Sequence, residues 1–500
     1  MLFNPAFLKL YKVPLLLVLA SALFYTAFAY YLVRTDYVKL VSLYTALFFL
    51  FYKLVQMFKH NTQALTYVAF GFRAIFILAI PNLSQDFYRF IWDGRMILEG
   101  FNPYLHTVDA FTSMSEFPVA QAQELRTGMG VLNASHFTNY PPVNQLCFLI
   151  AVLFTNKSIL GSVMIMRLLI IAADFGTLHF GKKLLDKLNL PTHHIFWYVL
   201  NPFIIIELTG NLHVEGVMIF FLVCSLYLFH SGKWQWSAVV LALSVSTKLI
   251  PLLFLPLFFQ WFVKQNVTAS KVKQSAQNGE ITSSLAPRND VHDDILKHVQ
   301  YNEHKKWIPT FAGMTKLIMF YSIVGVTTLF LFIPFYSSEF INNYTKTVAL
   351  WFNNFEFNAS LYYIAREIGY TFRNRNEIAI IGAYIPKLVI AFVLLITFLR
   401  NNKTTVQLIT AMLLALSFYY FTATTVHPWY LATLLILSVF TKYKFPLVWS
   451  FVMILSYLAY LNINKEDKSE NLWVIALEYV IVYGVFFWEV FIKKASNKVA

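Results

Sequence analysis

Apolar segments of membrane-crossing length recur along almost the whole chain, and this repetition limits the fold more than any motif does. They fall at 13–33, 38–58, 64–82, 160–181, 194–209, 212–230, 234–248, 249–263, 316–336, 378–399, 405–424, 427–441, 445–462 and 472–493. A helix needs about 20 apolar residues to span the hydrocarbon layer. The sequence therefore predicts an all-α fold, a polytopic membrane helical bundle with about 13–14 transmembrane helices. Several segments are short, and the pair within 234–263 also reads as one helix bent at Pro251. Only 13% of the 500 residues are charged, against about 25% in soluble domains, so water-soluble packing could not hide this much apolar surface.

Loop charge then sets orientation. Alternating the segments places Lys9 and Lys12, Lys53 and Lys59, Lys182 and Lys183, the stretch from Lys264 to Lys316, Lys442 and Lys444, and Lys493 and Lys494 in the cytoplasm together. Both termini are expected there. The net charge of +14 follows from this bias, so no nucleic-acid partner is expected. Ala27-Phe28-Ala29 fits a leader-cleavage pattern, but removing 13–33 would spoil the alternation, so it reads as a retained first helix. The run Val143–Phe154 breaks the alternation and is expected to be re-entrant or interfacial. Cys147 and Cys224 sit in apolar runs and read as packing residues.

Three units are expected. Residues 1–263 form an N-terminal membrane module with a large outer loop, 83–142. Residues 264–315 are polar and aperiodic and read as a cytoplasmic linker, disordered in part. Residues 316–500 form a C-terminal membrane module with an outer loop at 337–377. The turns 210–215 and 427–430 also fall outside.

The segment from Ser84 to Arg95 concentrates polar groups where the third apolar segment ends. On a helix, Asp86, Arg89 and Asp93 stand at i, i+3 and i+7 and share one face, with the two acids about 10 Å apart. A carboxylate beside apolar surface suits a general base, and an arginine next to it suits a phosphate. The alternative is a solvated ion pair on an interfacial helix with Tyr88 and Trp92 as belt aromatics. Lys248, in a very apolar context, either holds an anion or snorkels. His213 and Glu215 share a turn and suit acceptor, phosphate or metal, so a divalent ion (Mg or Mn) stays open as a cofactor. Tyr140, Asn358 and His427 are further candidates for substrate contact, and His427 reads equally as a capping residue.

The ordered set of motifs resembles the bacterial polyprenol-phosphate-mannose-dependent mannosyltransferases of the GT-C superfamily. It comprises D-x-Y-R-x-x-W-D-G-R at Asp86–Arg95, G-x-N-P-Y at Gly100–Tyr104, Tyr140-Pro141-Pro142, Asn201-Pro202, Gly210–Gly216, Thr247–Pro251, Phe357–Ser360 and His427–Tyr430. The resemblance implies a multi-helix bundle in the bacterial inner membrane, serving the cell envelope. It implies an inverting transfer of a hexose, mannose by the family's name, from a polyprenyl-phosphate sugar to a glycan or lipid acceptor on the outer face. Asp86 matches the acid that deprotonates the acceptor hydroxyl, with Asp93 second; Arg89 and Lys248 would hold the donor phosphate. Residue 85 is Gln, so the variant with two adjacent acids is not met. A transporter or flippase of a lipid-linked substrate is the competing class. Arg167 and Asp174 lie inside one apolar segment, as a transporter would want, but no internal repeat relates the two halves. Intact cells test the orientation: a cysteine replacing Thr112 is expected to react with an impermeant thiol reagent, and labelling only after lysis would place the loop in the cytoplasm.

Overall fold

The computed structural model describes residues 5–112, 117–155, 157–263, 311–464 and 470–493. Among these the regular structure is helical, apart from one isolated parallel bridge between Phe357 and Thr425. The expected linker lies outside the described residues up to 310, and its last five residues form the start of the helix Phe311–Phe332.

Seven described helices are long and apolar enough to cross a membrane: Tyr11–Tyr31, Tyr37–Phe58, Ile159–Lys187, Phe311–Phe335, Ile378–Leu399, Thr405–Thr422 and Leu472–Ile492. Pro202–Gly210 and Glu215–His230 make an eighth crossing if this pair, bent by 117°, is counted as one. On the first helix Leu16, Leu19 and Leu23 point outward and exposed, which is the row a lipid tail would cover. The chain is thus a multi-pass helical bundle, with fewer unbroken crossings than the hydropathy suggests. The remainder are apolar stretches that break. The segment 64–82 supplies only 14 helical residues, Thr62–Ile75, and 427–441 and 445–462 begin or continue as 3-10 turns. Pro142–Leu153 has 12 residues, too few to span at 1.5 Å each.

Each break leaves carbonyls without helical partners, and buried polar side chains meet them. Arg167 donates to Thr209 O, Gly210 O and Ile77 O at 2.9–3.0 Å, closing the end of the π-turn Ile205–Gly210. Arg73 binds Val199 O at 2.7 Å and pairs with Asp174 at 2.8 Å. Arg167 and Asp174 are therefore not a pair, and each has a structural partner.

We number the first eight helices of four or more residues α1 (Pro5–Tyr31), α2 (Tyr37–Phe58), α3 (Thr62–Ile75), α4 (Asp86–Leu98), α5 (Val108–Thr112), α6 (Ala122–Ala134), α7 (Pro142–Leu153) and α8 (Ile159–Lys187). Helices α4 to α7 make a polar cap over the bundle. Phe90 of α4 stacks on Phe148 of α7 at 4.6 Å, and Gln145 donates to Asp93 at 3.2 Å. Arg95 ties α4 to Ala120 O and Lys157 O. Asn102 reaches Phe335 O, and Tyr104 donates to Tyr140 O, so the N-P-Y motif fastens the cap to the second module. Gly94 permits the α4–α7 approach: a Cβ there would lie 2.4 Å from Phe148 O, a backbone atom that cannot swing away. Gly94→Ala is expected to destabilise the protein by about 1–3 kcal/mol, read as a lower melting temperature in detergent; an unchanged melting temperature would show that the helices slide apart freely.

Candidate functional site

A cavity of about 410 Å³ opens where the cap meets the bundle. Its wall collects residues that are far apart in sequence: Arg34 from the α1–α2 turn, Asp86 at the start of α4, Asn133 from α6, Tyr140, His213 and Glu215 from the bend after the π-turn, Lys248, and His427, Trp429, Tyr430 and Tyr460 from the second module.

Asp86 occupies the first position of α4, where its own backbone N–H binds Ser84 Oγ. The free N–H groups of a helix start favour a carboxylate's ionised form. Here desolvation by the cavity walls outweighs that effect and pushes the carboxyl up to about 6, against the hydrogen bond from Asn133 at 3.4 Å and the charge of Lys248. No cation within the described residues is close enough to form an ion pair with it. Asp86 is therefore a half-buried carboxylate facing open space with spare acceptor capacity.

Asp93 and Arg89 do not join it. Asp93 is fully buried, gripped by Arg89 Nε at 2.8 Å and by Gln145. Arg89 spends its other contacts on Asn133 O and His136 O, at 2.6 and 2.9 Å. On the helical face expected from the spacing, Arg89 and Asp93 form an internal ion pair that holds the end of α6; Arg89 engages Nε and Nη1 there and is not among the residues that line the cavity. Its effect on the site is indirect, because the carbonyl it binds belongs to Asn133, whose amide meets Asp86.

Lys248 does line the cavity. The helix Trp234–Thr247 ends there, with Lys248 in extended geometry. Its ammonium forms an ion pair with Glu215 and lies 5.1 Å from the Tyr430 ring. The pair is close to neutral, so Lys248 offers hydrogen bonds more than net charge. Tyr140 lines the cavity with its ring edge-on to Phe90. Asn358 does not: it sits behind the wall with φ 46°, its N–H on Glu470 and its amide on Glu478 and Met453. Its role is to set the loop that presents Phe357.

The opposite wall is a ladder of rings. His213 stacks on Trp429 at 3.8 Å, Trp429 on His427 at 4.6 Å, His427 lies 5.0 Å from Phe357, and Phe357 5.9 Å from Tyr460. Both faces of Trp429 are covered, so a substrate meets ring edges here. Behind the ladder Glu207 accepts from Tyr457 and Asn211, with His213 Nε2 4.0 Å away. Among the described residues no three His, Cys, Asp or Glu side chains converge as metal ligands.

Three contributors were not expected from sequence: Arg34, Asn133 and Tyr460. Arg34 carries the only signal that reading could have used, a lone arginine in the short turn Val33–Asp36 between two apolar helices.

No curated protein and no solved structure gives a significant match. The model of the alpha-(1->6)-mannopyranosyltransferase N-terminal domain matches residues 11–264, a stretch that contains Asp86, Glu215 and Lys248. By this match the chain, a helical membrane bundle, belongs to the alpha-(1->6)-mannopyranosyltransferase family.

Proposed function

We propose that this chain is a GT-C-type mannosyltransferase of the bacterial inner membrane. It moves mannose from a polyprenyl-phosphate donor to a hydroxyl of a glycan or lipid acceptor on the outer face, with inversion. The observation that carries the reading is the half-buried, unpaired Asp86 carboxylate at the cavity wall. A polyprenyl-phosphate sugar keeps its tail in lipid and presents its anomeric carbon at the interface, where α4 begins.

The chemistry follows from the groups present. Asp86 Oδ takes the proton of the acceptor hydroxyl as its oxygen attacks the anomeric carbon. The bond from that carbon to the phosphate oxygen breaks on the opposite side, and the phosphate leaves with the electron pair. The Lys248–Glu215 pair supplies donors and acceptors for sugar hydroxyls, and the ring edges of Trp429 and His427 fix the pyranose between them. A proton held at about 6 suits a base at neutral pH, because the carboxylate is then mostly ionised and still basic enough to accept. No step requires a metal, so chelation with EDTA is expected to leave turnover intact. A transporter would need a continuous path and a second state; the cap built from α4 to α7 favours a transferase.

Turnover of purified protein against polyprenyl-phosphate mannose and a panel of acceptors tests the reading. Asp86→Asn is expected to bind donor but lose two to four decades in kcat. Asp93→Asn breaks a buried pair and is expected to lower stability while the surviving protein keeps its chemical step. A dead Asp93→Asn beside an active Asp86→Asn would reverse the assignment. The base works ionised, so kcat should be level above the Asp86 pKa and fall tenfold per unit as pH drops below about 6; a flat acid limb would remove Asp86 from the chemical step.

A further inference from the structure

The departing phosphate needs positive charge, and the cavity's cations differ in how free they are. Arg89 is paired with Asp93, binds two carbonyls and lies outside the cavity lining. Lys248 is paired with Glu215. Arg34 makes one hydrogen bond, from Nη1 to Leu83 O at 3.3 Å, and lies flat over the Tyr460 ring at 4.3 Å. Among the described residues it has no carboxylate partner. An arginine carries five N–H donors, so Nε and Nη2 remain for a ligand.

Its placement is built. Asn82 donates to Phe28 O and Leu32 O at 2.8 and 3.0 Å, closing the end of α1. The next residue, Leu83, accepts from Arg34. The strand of chain that leads into Asp86 therefore also fixes the backbone and the guanidinium of Arg34. Arg34 stands three residues beyond the first apolar span, the depth at which a lipid phosphate lies, and its planar fork matches phosphate oxygens in a bidentate way.

We propose that Arg34 is the donor-phosphate ligand of this enzyme, held by Leu83 O and the Tyr460 face so that its free edge meets the leaving phosphate. The proposal rests on the polyprenyl-phosphate reading above. It makes Arg34 a substrate-contact residue, and Tyr460 a positioning residue.

Two measurements on purified full-length protein decide it. In the first, donor KM and kcat are compared for wild type, Arg34→Gln and Arg34→Lys. Loss of one charge-assisted contact should raise donor KM ten- to a hundredfold in Arg34→Gln while acceptor KM stays constant. Arg34→Lys should recover part of the loss, since it keeps charge without the fork. In the second, thermal stabilisation by farnesyl phosphate is set against farnesol. Wild type should be stabilised by the phosphate and not the alcohol, and Arg34→Gln should lose that difference at an unchanged unliganded melting temperature. An Arg34→Gln with wild-type donor KM and wild-type farnesyl phosphate stabilisation overturns the proposal. If Arg34→Gln does not fold, an unchanged donor KM in Arg34→Lys overturns it instead. A wild type that consumes no prenyl-phosphate mannose sinks the donor reading by itself, and farnesyl phosphate stabilisation then judges Arg34 alone.

Discussion

A helix that breaks inside an apolar layer leaves backbone groups with no water to bind, and an unpaired peptide group there costs several kcal/mol. This protein breaks its helices repeatedly, at Ile75, at the π-turn, at Lys248 and around Pro428. Several buried polar side chains meet the carbonyls so freed. Arg167 sits on the carbonyls of Thr209 and Gly210, Arg73 on that of Val199, and Gln260 on those of Thr397 and Arg400. The breaks also shape the cavity. A continuous helix presents side chains sideways to its neighbours, whereas a broken one turns its end, with Glu215, Lys248 or His427, toward a shared space. The clamps are thus the cost of an interior polar cavity, and they explain buried charge without invoking transport.

The multi-pass architecture was legible because it rests on composition and segment length, both of which are local. The count of crossings was less so. Apolarity marks what is buried, and the short helix Thr62–Ile75 sits in an apolar segment of spanning length. What ends it is the turn at Phe76–Pro81, whose commitment depends on Arg167 reaching Ile77 O from another helix. Of the site, Asp86, Lys248, His213, Glu215, Tyr140 and His427 were readable, because each is a polar residue at the edge of an apolar run. Arg89 and Asp93 were placed with them by helical spacing. Spacing says which residues share a face, but not which face turns to the cavity; Gln145 and the carbonyls of Asn133 and His136, all distant in sequence, settle that. Arg34 was missed for the same reason: its meaning comes from Tyr460, 426 positions away.

The motif glycines and asparagines around Asp86 divide between chemistry and scaffolding. Gly94 makes room for Phe148 O, Asn102 reaches Phe335 O and Arg95 holds Ala120 O. Their contacts serve the packing of the cap. Of the string, Asp86 and Phe90 line the cavity, and Asp86 is its one carboxylate there, with a pKa raised chiefly by the burying walls.

The ring ladder also orders events during synthesis. The hydrogen-bond partners of Arg73, Asp174 and Arg167 all lie between residues 69 and 210, so these clamps can form before the second half of the chain is made. His213 and Arg34 cannot complete their stacks until Trp429 and Tyr460 have emerged. At roughly 5–20 residues per second, the nascent chain carries an uncovered histidine and arginine for some tens of seconds. The cavity is thus the last part of the molecule to be completed, because its wall needs Trp429 and Tyr460 from the far end of the chain.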